Sequence, residues 1–246
     1  MAPRARPGSP LLGLAGPPGR NGRVRAGRYR GGMSGHDQPG AAPTETELRF
    51  LSDTLPDDDA LIRLALAGMG LVKRGGQRLH SDVYIDTDRL ALRAHGANLR
   101  IRTGAVGERW VTLKVKTPGG HQGALFVREE WEVRLEPGEL AESSAPWERA
   151  AGFVRGTIRP ILQITTLRSE HVLRDDHGNE IVLAEDTVTY PDGSVERRLE
   201  VEMRSGTPQL LRLVEKDLRR QVKGLRAARR GKRSQAIRRL PQLFGA

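Results

Sequence analysis

Glu45-Thr46-Glu47-Leu48-Arg49 sets three charged residues two apart. In an extended strand, residues two apart share a face. Glu45, Glu47 and Arg49 therefore point one way and Leu48 the other. The same spacing recurs along the chain. Arg100 pairs with Arg102 and Lys114 with Lys116; Arg128, Glu130 and Glu132 form a row, and so do Glu200 and Glu202. The opposite faces carry Leu48, Ile101, Val115, Trp131 and Val201. A solvated sheet face usually mixes in Thr, Ser and Gln. Here acids and bases alternate with apolar residues on at least five strands.

Period-two segments lie at 45–51, 80–86, 98–103, 109–117, 126–135, 161–174, 180–189 and 194–203. Turn chemistry joins them, as in Asp175-Asp176-His177-Gly178-Asn179 and Tyr190-Pro191-Asp192-Gly193-Ser194. Short helices are expected at 57–68 and 145–155, and a longer one at 208–230, where Leu210, Leu211, Leu213, Val214, Leu218 and Val222 share a side. An antiparallel sheet of about eight strands removes its edges by closing. The expected fold class is α+β: a closed eight-stranded antiparallel barrel with a few flanking helices.

If the charged rows face inward, the interior cannot be empty and dry, because buried charges need partners. Hard divalent cations bind carboxylates jointly with phosphates. Arg and Lys clamp phosphoryl oxygens. One ligand, a metal–polyphosphate complex, accounts for both signs of charge.

The 246 residues suffice for one domain and tails. There is no cysteine, which excludes disulfides and thiolate chemistry and fits a reducing, cytoplasmic setting. The net charge of +11 is concentrated at the ends. Residues 33–218 hold all 30 acids against 24 bases, while 1–32 and 219–239 are basic and free of acids. Nucleic acid is thus expected to interact only weakly, through the tails. No run reaches the roughly 18 apolar residues of a membrane span. Residues 1–43, rich in Gly, Pro and Arg, read as a disordered extension, 44–207 as the barrel, and 208–246 as a basic helical segment packing on or near it.

The ordered motifs resemble the CYTH family, the triphosphate tunnel metalloenzymes. The family's Glu-x-Glu-x-Lys signature reads Glu45-Thr46-Glu47-Leu48-Arg49 here. It is followed by Tyr84-Ile85-Asp86-Thr87, Leu99-Arg100-Ile101-Arg102, Leu113-Lys114-Val115-Lys116, Arg128-Glu129-Glu130-Trp131-Glu132 and Glu200-Val201-Glu202. The resemblance implies a tunnel in which Glu45, Glu47, Glu130, Glu132, Asp186, Glu200 and Glu202 hold Mg²⁺ or Mn²⁺. It implies phosphate contacts from Arg100, Arg102, Lys114, Lys116, Arg128 and Arg168, with Arg49, Lys114 and Arg168 as catalytic residues. The implied reaction is metal-assisted hydrolysis of inorganic triphosphate or a small organic triphosphate. A non-catalytic polyphosphate- or nucleotide-binding module and an adenylate cyclase are the alternatives.

Three positions depart from the family pattern. Arg49 replaces the signature Lys, Thr166-Leu167-Arg168 stands where Lys-x-Arg is common, and Lys232-Arg233-Ser234-Gln235 stands where Ser-Lys is common. Lys232 is a candidate substitute. The histidines, including His80 and His171, lack metal-ligand spacing and are expected in surface or turn roles. Gly75-Gly76 and Pro118-Gly119-Gly120 read as turns.

Overall fold

A computed structural model describes residues 44–244. The segment expected to be disordered, 1–43, lies outside them. The strands are β1 (Thr44–Leu51), β2 (Gly70–Asp86), β3 (Ala97–Thr103), β4 (Arg109–Gln122), β5 (Leu125–Leu135), β6 (Arg159–Arg174), β7 (Glu180–Thr189), β8 (Val195–Ser205) and the two-residue β9 (Arg226–Ala227). The helices are α1 (Asp58–Ile62), α2 (Ala91–Ala94), α3 (Ala145–Gly152), α4 (Pro208–Gln221) and α5 (Lys232–Arg239).

The sheet runs β5-β4-β3-β2-β6-β7-β8-β1, and β1 also pairs with β5, which closes an eight-stranded antiparallel barrel. β9 adds to the end of β1. Closure places Glu45 opposite Arg128, Glu47 opposite Glu202, and Arg49 opposite Glu200.

The apolar faces point outward, under helices. Leu48, Phe50, Leu183, Leu199 and Val201 pack with Leu211, Val214 and Leu218 of α4. Burying each such side chain contributes roughly 1.5–3 kcal/mol. Leu99, Val111 and Leu113, with the partly buried Ile101, Val115 and Trp131, pack beneath α3 through Trp147 and Ala150. A third cluster fills one end of the barrel from inside: Tyr84, Leu162, Ile164, Val188 and Tyr190 meet Ala236 and Leu240 of the α5 segment. Among the described residues, no helix is long and apolar enough to cross a membrane.

Several local expectations are corrected. The first helix ends at Ile62, not Gly68, and its N-cap is Asp57, whose side chain accepts from the Ala60 amide at 2.8 Å. β2 begins at Gly70, ten residues earlier than the periodicity suggests, and Gly75-Gly76 lies at a register shift within it. There the missing side chain matters, because a Cβ on Gly75 would sit 2.0 Å from the Glu170 carbonyl oxygen. Pro118-Gly119-Gly120 likewise interrupts the register inside β4 and does not end it. The helix read over 208–230 stops at Gln221; the chain then turns, adds β9 and starts α5. The short helix α2 had no sequence reading.

Asp86, from the Tyr84-Ile85-Asp86-Thr87 motif, explains that helix. Its buried carboxylate accepts from the amides of Thr87, Leu92 and Arg93 at 2.8, 2.8 and 3.0 Å, so it fixes the turn and the start of α2. The motif's acid is a structural cap.

Candidate active site in the tunnel

The inward faces enclose a cavity of about 360 Å³ open to the outside. Seven glutamates and ten Lys or Arg residues line it, so its walls are net positive. Six of the glutamates, Glu45, Glu47, Glu130, Glu132, Glu200 and Glu202, come from the adjacent strands β8, β1 and β5. The neighbouring strands β4, β3, β2 and β6 present Lys114, Arg100, Arg102, Arg78 and Arg168.

On the glutamate-rich wall, Lys114 Nζ donates to Glu45 Oε1 at 2.6 Å and lies 3.1 Å from Glu130. Arg128 donates to Glu45 at 2.7 Å and also to Glu47, which Arg49 holds as well. Burial would raise the Glu45 carboxyl, but the nearby charges of Lys114 and Arg128 hold it below its ordinary value. Burial likewise opposes the charge on Arg49, and Glu47 and Glu200 more than restore it, raising its pKa. Thr112 donates to Glu132 at 2.7 Å.

Glu202 differs. It faces Glu47 across the strand pair, and its nearest cation, Arg204, is 3.3 Å away. Burial raises its pKa to about 7; Arg204 opposes that rise, and the charges of Glu45 and Glu130 add to it. Like charges directly opposite in a sheet are destabilising, so this wall is short of positive charge.

On the other wall, Asp82 grips Arg102 through two hydrogen bonds of 2.7 and 2.9 Å and lies 3.6 Å from Arg100. Burial works against the Asp82 charge, but Arg100 and Arg102 hold its pKa far below normal. Asp186 grips Arg168 at 2.6 and 2.7 Å, and Arg168 reaches on to Glu200 at 2.5 Å. These forked contacts orient each guanidinium before any ligand arrives.

Lys232, the first residue of α5, enters this network from the plugged end. Its Nζ lies 2.6 Å from Asp186 Oδ2 and 3.9 Å from Glu200. Burial lowers its pKa, with Asp186 and Glu200 opposing. Next to it, Arg233 donates to the Ala97 carbonyl at 2.7 Å and lies 3.5 Å from Asp86, tying α5 to the same turn that Asp86 caps.

Of the residues expected at the site, Glu45, Glu47, Arg49, Arg100, Arg102, Lys114, Arg128, Glu130, Glu132, Arg168, Glu200 and Glu202 line the cavity. Two do not. Lys116 is exposed, the last residue of β4 in register with β5 before the shift. Asp186 lies behind the lining, saturated by Arg168 and Lys232. Missed residues include Arg198, which shares a face with Glu200 and lines the cavity while bonding Glu196 and Tyr190. Extending the Glu200–Glu202 row by one step finds it. The buried His80 and His171 overturn the expectation of surface roles: His80 lines the cavity, and His171 bonds Asp58 of α1 at 2.6 Å.

The lumen carboxylates suit a hard divalent cation by chemistry, and Glu202 shows where positive charge is wanting. Among the described residues, no three acidic or imidazole side chains already converge on one ion position, because cations of the protein hold them.

The CYTH domain model matches residues 43–232. The chain belongs to the CYTH domain family. Comparison with curated proteins finds no match. Among solved structures, a putative adenylyl cyclase from Hippeastrum with a dominant triphosphatase activity superposes with a TM-score of 0.57 at 18% identity, covering 79% of this chain and 95% of that one. A putative adenylate cyclase from Bacillus halodurans gives 0.50 at 17% identity, covering 79% and 96%. At these identities the likeness supports the CYTH fold. The family match ends at Lys232, the residue that joins α5 to the lumen.

Proposed function

We propose that this CYTH-domain protein is a metal-dependent triphosphatase that hydrolyses inorganic triphosphate or a small organic triphosphate in its tunnel. One observation carries the reading. A single cavity gathers six of its seven glutamates on β8, β1 and β5 and six of its ten cations on β4, β3, β2, β6 and α5, with the cations in excess overall. A polyphosphate bridged to metal satisfies both walls at once. The volume of about 360 Å³ sits at the small end of ligand pockets, which suits a triphosphate chain better than a large organic group. The activity reported for the Hippeastrum protein points the same way.

Glu45, Glu47, Glu130, Glu132, Glu200 and Glu202 would hold Mg²⁺ or Mn²⁺. Such an ion supplies charge neutralisation for phosphoryl oxygens and makes a bound water more acidic. Arg100, Arg102, Lys114, Arg128 and Arg168 bind the phosphoryl oxygens. Asp82 and Asp186 keep Arg102 and Arg168 fixed, so little reorganisation accompanies the build-up of charge in the transition state. Arg49 orients Glu47. Lys232 adds the positive charge that the chain lacks at Thr166.

The test is phosphate release from tripolyphosphate with Mg²⁺ or Mn²⁺, compared with Glu202→Ala. Turnover at the level of that variant removes the enzyme reading. Tight binding by calorimetry without turnover makes the protein a polyphosphate-binding module, and cyclic AMP formed from ATP makes it a cyclase.

A further inference from the structure

His80 has no place in the mechanism above, yet its ring faces the cavity and is nine-tenths buried. Its Nδ1 has no hydrogen-bond partner among the described residues. Directly across the strand pair stands Thr166, fully buried, whose Oγ1 is also without a partner. Leaving such groups unpaired costs about 1–3 kcal/mol each, and the two face each other across the β2–β6 pair, His80 at the cavity lining and Thr166 buried next to it. The charged groups around the ring are Arg78 and Asp82 from its own strand, Arg102 from β3, and Arg168 and Glu170 from β6.

Building on the triphosphatase reading, we infer that His80 is a substrate-binding residue that becomes charged only when triphosphate enters, donating a ring N–H to a phosphoryl oxygen in the cavity. The physical reason lies in the neighbours. With the lumen empty, burial and the charges of Arg102 and Arg168 keep the imidazole neutral and lower its pKa to about 4. A triphosphate on those guanidiniums reverses the sign of the local field, so the ring takes a proton from water. A fixed lysine at this spot would repel Arg102 and Arg168 in the empty tunnel, whereas a titrating imidazole adds its charge only when it is wanted.

The test is proton-linked binding of imidotriphosphate, whose bridging nitrogens resist hydrolysis, with Mg²⁺. Calorimetry at about pH 6 in buffers of different ionisation enthalpy counts the protons taken up. Protons exchanged by the ligand and by other lumen groups cancel between wild type and His80→Gln. The expected difference is about one proton per ligand bound, with at least tenfold weaker binding for the variant. In wild-type protein, the ring C–H resonance of His80 should stay at its neutral position down to about pH 5 without ligand and titrate well above pH 6 with it. Equal proton uptake in both proteins, or an unmoved His80 titration despite binding, overturns this inference and leaves the triphosphatase reading standing. No binding of imidotriphosphate by wild type overturns both.

Discussion

Glu47 on β1 sits directly across from Glu202 on β8, two carboxylates in register inside a closed barrel. Glu47 is held by Arg49 and Arg128, while the nearest cation to Glu202 among the described residues is the more distant Arg204. The pairing strains the protein without ligand and offers a cation a place. Glu202→Gln should therefore stabilise the metal-free protein by about 0.2–1 kcal/mol. The sign follows from the raised pKa of about 7: Glu202 binds a proton in the native state that the unfolded chain releases nearer 4.5. Its contribution to stability is lost as pH rises from the unfolded value toward 7, so the variant's advantage grows across that window and levels off above it. Thermal melts with and without Mn²⁺ check both halves, since metal should raise the melting temperature of wild type and not of Glu202→Gln. A variant less stable than wild type at about pH 8 contradicts the argument.

Lys232→Met should cost about 2 kcal/mol in urea unfolding. Removing one member of a buried ion pair costs about 3–5 kcal/mol, and here Arg168 remains on Asp186 to soften the loss. Adding Asp186→Asn to Lys232→Met should recover part of the stability. A single variant as stable as wild type would mean that Lys232 does not hold α5 to the barrel.

Asp86→Ala separates structure from chemistry. Three backbone amides lose their acceptor, so stability should fall by about 2–4 kcal/mol. Phosphate release per folded molecule should stay within about twofold of wild type, since Asp86 does not line the cavity. A selective collapse of kcat in fully folded protein would place Asp86 in the machinery after all.

Acid should unfold the protein through the cation wall. Burial disfavours the charges of Asp82, Asp186 and Glu200, but their Arg and Lys partners outweigh it and depress all three pKa values. A depressed carboxylate stabilises the fold above the usual carboxylate range and loses that contribution as pH falls through its native pKa. Stability should hold to about pH 5 and drop steeply below about 4. Arg102→Leu should flatten that drop, because Asp82 then titrates nearer its ordinary value. Equal slopes in the two urea-derived pH profiles would refute the assignment.

Leu211→Ala should cost about 2–5 kcal/mol, because this fully buried residue joins α4 to the outer face of the barrel. Chemical denaturation measures it, and a loss below 1 kcal/mol would mean that α4 is not a structural wall.

The barrel was legible because period two writes itself into the sequence: Glu45, Glu47 and Arg49 face in, and Leu48 faces out to α4. What stayed hidden has physical causes. The first ten residues of β2, from Gly70, are mostly exposed and carry no alternation, so only pairing with β6 makes them a strand. The apparent helix over 208–230 continues its charge pattern past Gln221, but Gly224 takes a left-handed conformation (φ 75°) that turns the chain toward β1. Lys232 and Asp186 are 46 residues apart, a separation no local pattern encodes. Lys116 kept the right spacing and still left the site, because the bulge in β4 begins just beyond it. His80 looked like any lone histidine until Arg102 and Arg168 were placed around it.

The double pairing of β1 governs how the molecule can be made. Its partners β5 and β8 begin some 80 and 150 residues further along the chain. During synthesis, the segment bearing Glu45 and Glu47 emerges first and must wait for the last strand before the ring can shut. Such distant pairing slows folding and leaves an open strand edge in the interval. Until β8 arrives, the hydrogen-bonding groups along that edge are open to pairing with another chain.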